Sequence, residues 1–262
     1  MLNGHISTWL EVLSGVPQGS VLGPILFIIF INDITSCAQN IDCIKIFADD
    51  VKSGNTVDTS EKRDALQQCV NHMFQWSQTW QMKFNAQKCK VLHVGHSNIK
   101  HQYSLNGEPL TSEIKETDVG VDICANLKPS SQCSKAARTA TQVLWQVARS
   151  FHYRDKFTFV KIYKTYVRPH VEFASPCWNP WLEGDIHAIE RVQEQFVRMV
   201  SGLNGSTYKE KLIELGLLTL QDRRLYFDLL ETYKIIHGFN NVKYGQWFTL
   251  VRDSLRRVTR DS

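Results

Sequence analysis

Two adjacent carboxylates, Asp49 and Asp50, are the clearest candidates for chemistry in this sequence. The alternation of residues 43–47 predicts a strand that turns at this pair and returns through 51–53. Two neighbouring carboxylates repel each other unless a cation compensates them, and Mg²⁺ prefers carboxylate oxygens together with substrate phosphates. The pair therefore suits phosphoryl transfer with two metal ions. The alternative is an ordinary polar turn, and an Asp-Asp pair taken alone favours that alternative.

A loop rich in glycine and proline, residues 15–24, lies ahead of these carboxylates. Its glycines let the backbone approach a ligand closely, and Gln18 and Ser20 can offer hydrogen bonds. The loop leads into an apolar helix predicted over 21–34, whose N-terminus favours phosphate. Because this helix is hydrophobic on most sides, we expect it to be buried. Taken by itself, the loop is better interpreted as a structural turn.

Charge is distributed unevenly along the chain, although the net charge is only +4. Residues 1–60 contain two lysines against six acidic residues, whereas residues 129–170 contain eight basic residues against Asp155 alone. An acidic segment that could hold cations thus precedes a basic segment that could bind a nucleic-acid backbone. The alternative for each segment is an ordinary solvated surface. The eight basic residues are Lys135, Arg138, Arg149, Arg154, Lys156, Lys161, Lys164 and Arg168.

Composition excludes several classes of protein. With 43% hydrophobic residues the chain can form a real core, so global disorder is not expected. The longest apolar run, 25–31, is far shorter than the roughly 20 residues of a membrane-spanning helix. The first residues lack the pattern of a secretory signal, and the seven scattered cysteines lack a CxxC pair. We therefore expect an intracellular protein with reduced thiols, no membrane association and no zinc site.

Before about residue 130 the apolar residues show both strand-like alternation and helical spacing, and after it they show helical spacing only. Asn3 and Gly4 suit a hairpin turn whose outgoing strand would lie mostly before Met1. We expect Thr59 or Ser60, Ser130 and Asp155 to cap helices, and Pro169 to end one. Further strands are predicted over 89–94, 103–105, 108–110 and 116–123, and helices over 60–80, 131–151, 155–168, 185–201, 206–215 and 220–237.

Seven aromatic residues between 145 and 166 accompany the basic segment. They could stack on nucleic-acid bases, but their near-helical spacing favours packing in a core. They are Trp145, Phe151, Tyr153, Phe157, Phe159, Tyr163 and Tyr166.

Together, these motifs resemble the reverse transcriptases of non-LTR retrotransposons, the LINE-type, jockey-like elements. The resemblance starts with Gly-Val-Pro-Gln-Gly-Ser at 15–20 and Phe-Ala-Asp-Asp at 47–50, and it covers about residues 1 to 240. Val119 departs from the leucine that is usual in the segment 118–121. The other matching segments are 31–34, 76–80, 83–89, 163–164, 167–170, 178–180 and 189–193.

The resemblance implies an α+β fold, in which a partial reverse-transcriptase palm (an antiparallel sheet with helices, 1–125) precedes an all-helical thumb-like region (126–240). Beyond the resemblance, the polar and basic composition of residues 241–262 predicts a flexible basic tail. The resemblance also implies an RNA-directed DNA polymerase that uses Mg²⁺, an RNA template and a DNA primer. Asp49 would be the main metal ligand and Asp50 the supporting one. The residues that would contact nucleotide and template are Pro17, Gln18, Gly19, Ser20 and Lys88; for Lys88, an ordinary surface lysine is the alternative.

The resemblance further implies a catalytic aspartate and a fingers region upstream of Gly15. No aspartate precedes Asp33 in this sequence. Without the strand that carries this aspartate, the palm sheet would have an exposed edge. We therefore expect the chain on its own to be an incomplete polymerase that could associate through that edge. Two hypotheses stay open: an RNA-directed DNA polymerase, and a non-catalytic retroelement remnant that at most binds nucleic acid.

Overall fold

The computed structural model describes Glu11, Gly15, residues 19–246, Phe248 and Thr249. The hairpin predicted near the N-terminus and most of the predicted basic tail lie outside these residues. The chain divides into two compact units, Met1–Ile114 and Lys115–Ser262. Helices and small sheets occur together, which confirms the predicted α+β class. The domain boundaries predicted at 125 and 240 stay predictions.

The first unit combines two long helices with short strands. Among the described residues, β1 and β2 pair antiparallel, β4 and β5 form a second antiparallel pair, and β3 pairs parallel with β6. Asn106 and Gly107, both with positive φ, form the predicted turn between β4 and β5. The elements are α1 (Leu22–Ile31), a 3-10 helix (Asn32–Cys37), β1 (Cys43–Phe47), β2 (Asp50–Gly54), α2 (Ser60–Thr79), β3 (Lys90–Leu92), β4 (Ser104–Leu105), β5 (Glu108–Pro109) and β6 (Thr111–Glu113).

The core of the first unit forms along one face of α2. The Thr59 side chain caps this helix by accepting a hydrogen bond from the Lys62 backbone N–H. Cys69, Met73 and Trp76 recur at helical spacing and are buried. They pack against α1 and the 3-10 helix that follows it, so the predicted amphipathic helix is confirmed.

The burial expected for α1 is wrong. Only Gly23 and Ile31 are buried, whereas Ile28 and Ile29 are 60% and 65% exposed. The side of α1 that packs on the core contains Phe27 and Phe30, and Phe30 lies 5.8 Å from Trp76 between ring centroids. A ten-residue helix that packs on one neighbouring layer buries one side only, however apolar its other sides are.

The second unit is a helical assembly that begins with a hairpin. Its core contains buried residues from α3 to the start of α8, among them Leu144, Phe159, Tyr163 and Phe196. The elements are β7 (Lys115–Asp118), β8 (Val121–Cys124), α3 (Ser130–Ser150), α4 (Lys156–Ile162), a π-helix (Tyr163–Val167), α5 (Arg168–Glu172), a 3-10 helix (Ser175–Cys177), α6 (Glu183–Met199), α7 (Tyr208–Leu215) and α8 (Leu220–Ile236), followed by a 3-10 turn (Tyr244–Gln246).

Three local predictions in this unit are wrong. Pro169 does not end a helix: Arg168 donates its backbone N–H to the Tyr163 carbonyl in a wide π turn, and helix resumes through the proline to Glu172. Ser130 is the first residue of α3 rather than its side-chain cap. The strand predicted over 116–123 is instead the β7–β8 hairpin, because the chain reverses between Asp118 and Val121.

The turn of this hairpin holds Val119 in an unfavourable backbone conformation. Val119 and Gly120 have φ of 45° and 86°. A β-branched residue at positive φ is a true outlier, whereas Asn-Gly is the preferred pair in such a turn. We expect Val119→Asn to stabilise the chain by about 1 kcal/mol, since the left-handed conformation costs about 1–2 kcal/mol.

Differential scanning calorimetry tests this expectation as a rise in Tm of roughly 2–4 °C. The matched control is Asn106→Val, which places valine in the corresponding turn of β4 and β5 and should lower Tm. An unchanged or lower Tm for Val119→Asn would show that the turn is not strained.

Candidate active site and nucleic-acid surface

The β1–β2 hairpin places both acidic residues at its tip. Phe47 pairs with Asp50 across the ladder, so Ala48 and Asp49 form a two-residue turn. Ala48 has φ of 52°, a conformation that L-residues rarely adopt and that often persists at functional sites. Asp49 and Asp50 are both exposed, which leaves their carboxylates accessible to a ligand from solvent.

Hydrogen bonds at the other end fix the base of this hairpin. Asp42 Oδ2 accepts from the backbone N–H of Thr56 at 2.6 Å and from its hydroxyl at 2.5 Å. These bonds lower the pKa of Asp42. Asn55 joins the base to α2, because its Oδ1 accepts from the Asp42 N–H and its Nδ2 donates to the Lys62 carbonyl. The tip carboxylates therefore project from an anchored hairpin.

Two carboxylates of this kind match Mg²⁺ in chemistry but do not make a complete site. Magnesium takes hard oxygen donors and keeps several waters or substrate oxygens, so two adjacent carboxylates suit it as part of a ligand set. Within the described ranges, no group of three or more His, Cys, Asp or Glu side chains is placed to hold a metal ion. Further oxygen donors would have to come from substrate, water or other residues.

The glycine-rich loop is described in part. Gly19 has φ of 82°, a conformation that glycine adopts without strain. Ser20 Oγ accepts a hydrogen bond from the Gly23 backbone N–H at 2.9 Å, so this side chain stabilises the first turn of α1. Pro17 and Gln18, the other predicted contacts with nucleotide and template, lie outside the described residues.

Lys88 lies in a turn ahead of β3. Its backbone N–H donates to the Asn85 carbonyl at 3.0 Å, and Asn85 Oδ1 accepts from the Gln87 N–H at 3.1 Å. The Lys88 side chain is exposed. The structure thus places this lysine on a hydrogen-bonded turn in the same unit as the hairpin.

The eight basic residues of the predicted nucleic-acid surface fall into two groups. Four make ion pairs or a hydrogen bond within the chain: Lys135 pairs with Asp122, Lys156 with Glu214 and Arg168 with Glu172, and Arg154 donates to the Ala148 carbonyl. The other four, Arg138, Arg149, Lys161 and Lys164, make no ion pair with a carboxylate in the part of the chain that the structure describes, and Lys161 contacts the Phe157 ring.

Core packing, the role favoured for the seven aromatic residues, holds for only two of them. Phe159 and Tyr163 are buried, and Tyr163 stacks on Phe196 with ring centroids 4.1 Å apart. The remaining five are exposed: Trp145, Phe151, Tyr153, Phe157 and Tyr166. The helical position of Trp145 could have shown this, because Ala140, Leu144 and Ala148 define the buried stripe of α3 and Trp145 lies outside it.

None of the described helices has both the length and the apolar character that are needed to cross a membrane.

Comparison with known proteins bears directly on the hairpin and the loop. The sequence matches the reverse transcriptase (RNA-dependent DNA polymerase) family over residues 1–153, more than half of the chain. That range contains Gly19, Ser20, Asp49, Asp50 and Lys88. No solved structure matches the chain significantly.

Three relatives extend the similarity into the helical unit. The RNA-directed DNA polymerase of the mobile element jockey from Drosophila funebris is 31% identical over 210 residues, which cover 72% of this chain and 22% of the relative. The jockey polymerase from Drosophila melanogaster is 26% identical over 219 residues, covering 77% and 23%. A probable polymerase of transposon X-element, also from Drosophila melanogaster, is 24% identical over 210 residues, covering 75% and 23%.

The chain thus spans less than a quarter of the length of these relatives. The family match covers residues 1–153, and the similarity to polymerases of mobile elements covers more than two thirds of the chain. Both agree with the presence of the Phe-Ala-Asp-Asp hairpin. The chain belongs to the reverse transcriptase family, and within it to the non-LTR retrotransposon type.

Proposed function

We propose that this chain contributes the metal-binding hairpin of an RNA-directed DNA polymerase, with Asp49 and Asp50 as carboxylate ligands of Mg²⁺. One observation carries the proposal: both carboxylates are exposed at the tip of a two-residue turn whose base is fixed by hydrogen bonds. The family supports it, since reverse transcriptases transfer nucleotides with the help of divalent metal ions. RNA template and DNA primer are the proposed partners.

Different residues of the chain would have different roles in nucleotidyl transfer. When bound, Mg²⁺ offsets the negative charge that develops on the phosphates during nucleotidyl transfer. Asp49 is the main ligand and Asp50 the supporting one, and the pairing of Phe47 with Asp50 places both at the tip of the hairpin. Lys88 supplies a positive charge to the triphosphate, and Pro17, Gln18, Gly19 and Ser20 contact nucleotide and template. An anchored hairpin favours this chemistry, because preorganised ligands need little rearrangement when the substrate binds.

Primer extension tests this proposal directly. The full chain is incubated with an RNA template, an annealed DNA primer, deoxynucleotides and Mg²⁺, and the extended primer is resolved by electrophoresis. The polymerase hypothesis predicts incorporation that follows the template and stops when EDTA removes the metal, whereas a chain that only binds nucleic acid gives none. Incorporation without metal, or none at high protein concentration, would contradict the polymerase proposal for this chain.

A second candidate function, nucleic-acid binding without catalysis, is favoured by a different observation. The segment 129–170 presents four basic side chains without an ion-pair partner among the described carboxylates: Arg138, Arg149, Lys161 and Lys164. Its single acid, Asp155, accepts hydrogen bonds from the N–H groups of Phe157 and Thr158 as the cap of α4. The local surface is therefore strongly positive, which suits phosphate contacts. Lys135, Arg154, Lys156 and Arg168, which already have intramolecular contacts, complete the proposed surface.

The salt dependence of RNA binding measures these phosphate contacts. The double substitution Arg138→Gln with Arg149→Gln should reduce the slope of log K against log salt by about 1.4, since each contact with a single strand contributes about 0.7. Fluorescence anisotropy with labelled RNA over a salt series gives the slope.

The matched control for this pair is Arg191→Gln with Lys209→Gln, which removes two exposed charges outside the basic segment. An unchanged slope for the first pair, or an equal change for the control pair, would show that Arg138 and Arg149 do not contact phosphate.

A further inference from the structure

Four exposed aromatic side chains at the connection between α3 and α4 are not used by the proposed active site. They are Trp145, Phe151, Tyr153 and Phe157, which we call the aromatic patch; Tyr153 and Phe157 are 80% and 70% exposed. Large apolar side chains grouped in water are unusual on a protein surface and commonly mark a binding site.

The short connection between the two helices limits how far apart these four residues can lie. α3 ends at Ser150 and α4 begins at Lys156, so only six peptide steps separate the helices. Six steps span at most about 20 Å. Arg154 links the connection to the last turn of α3, because its Nη2 donates to the Ala148 carbonyl at 2.7 Å. Trp145 precedes the connection in the last turns of α3, and Phe157 follows it in the first turn of α4.

Positive charges lie on the same helical faces as the aromatic rings. On α3, Arg138, Trp145 and Arg149 are exposed and recur at spacings that place them on one face. On α4, Lys161 Nζ lies over one face of the Phe157 ring, 4.0 Å from its centroid, so a base would stack on the opposite face. The only carboxylate among residues 129–170, that of Asp155, caps α4 through its Oδ1. The aromatic patch is therefore flanked by cations on both helices.

We propose that the aromatic patch binds single-stranded nucleic acid, with unpaired bases stacked on Trp145, Tyr153 and Phe157 and with phosphates on Arg149 and Lys161. This inference rests on the proposed nucleic-acid binding and adds the class of ligand. Phosphates of a duplex need only clustered positive charge. Exposed ring faces are useful to a ligand whose bases are unstacked, and such stacking is tolerant of sequence because every base has a π face.

The experiment compares single-stranded with duplex ligands on the full chain. Fluorescence anisotropy is measured with a labelled oligouridine and with a labelled duplex of the same length, for wild type, Trp145→Ala, Phe157→Ala and Trp145→Phe. Each alanine variant should weaken single-strand binding roughly 5- to 150-fold, the range measured for loss of one stacked base. Duplex affinity and the salt slope should stay unchanged, and Trp145→Phe should retain most of the affinity because it retains a ring.

Trp181→Ala is the matched control, because Trp181 is also exposed but lies outside the basic segment. Thermal unfolding of each variant checks that the exposed substitutions leave the fold intact. If both alanine variants bind the single strand like wild type, the aromatic patch is refuted, while nucleic-acid binding through the basic residues still stands. If polyglutamate competes as well as RNA, the surface recognises charge alone and the stacking is refuted. If wild type binds neither ligand at low salt, the proposed nucleic-acid binding fails, and the patch with it.

Discussion

Asp49→Ala is expected to lower Mg²⁺-dependent nucleotide incorporation by about 10³-fold or more, because a metal ion contributes several kcal/mol of transition-state stabilisation. The side chain is exposed at the hairpin tip, so the substitution should change stability by less than about 0.5 kcal/mol. Asp50→Ala should cause a smaller loss, in keeping with the supporting role proposed for it. Primer extension on an RNA template gives the rates.

Asp64→Ala is the matched control for this prediction, because Asp64 is an exposed aspartate on α2 of the same unit. A second readout that does not depend on turnover is binding of Mn²⁺ as a substitute for Mg²⁺, followed by electron paramagnetic resonance. Asp49→Ala should weaken Mn²⁺ binding and Asp64→Ala should not. If Asp49→Ala leaves both incorporation and Mn²⁺ binding at the wild-type level, Asp49 is not a metal ligand.

Asp122→Ala is expected to have the largest effect on stability. The Asp122 side chain is only 4% exposed and joins the β7–β8 hairpin to α3. Its Oδ1 accepts from Lys135 Nζ at 2.6 Å and from the Thr117 hydroxyl at 2.9 Å, and its Oδ2 accepts from Lys115 Nζ at 3.2 Å. Removing one partner of a buried pair costs about 3–5 kcal/mol. Since both lysines are partly exposed, we expect about 2–4 kcal/mol.

Urea unfolding followed by far-UV circular dichroism measures this loss. The control is Glu214→Ala, which breaks the exposed pair of Glu214 with Lys156 and should cost at most about 1 kcal/mol. Equal losses for the two variants would contradict the anchoring role of Asp122.

The same carboxylate should make stability depend on acid pH. Burial alone would raise the pKa of Asp122, but hydrogen bonds from Lys135, Thr117 and Lys115 outweigh it and lower the pKa from 3.8 to about 2. Because the folded state holds the lower pKa, the stabilisation is complete above about pH 4 and is lost as pH falls towards 2. It amounts to about 2 kcal/mol. The free energy of unfolding of Asp122→Asn should therefore depend less on pH between pH 5 and 2 than that of wild type. An unchanged pH dependence would show that other carboxylates cause it.

Local patterns were sufficient to predict most elements of this fold. Strand alternation and a turn signal located the β1–β2 hairpin and its two aspartates, and Asn106 and Gly107 located the turn between β4 and β5. Helical periodicity located α2, α3 and α6 to α8 within about three residues. These features follow from interactions between near neighbours in the chain, which the sequence shows directly.

Turns and helix irregularities that oppose residue preference were not predictable in this way. Val119 is a strand-forming residue, so the sequence predicts a continuous strand where the chain actually turns. β7 and β8 pair on either side of this turn. Asp122, which joins the two strands, also binds Lys135 of α3. Pro169 continues a helix because the π turn before it rearranges the backbone hydrogen bonds.

The sequence by itself determined the family of this protein, the acidic hairpin and the positions of the helices, because motif order and periodicity are local properties of the chain. Only the tertiary structure decided which faces of these helices and strands are buried. It left most of the apolar surface of α1 exposed, and it buried Asp122 between two strands and a helix. It also left Trp145 and Phe157 in solvent beside basic residues. Periodicity shows which residues share a face, but burial depends on what segments distant in sequence place against that face.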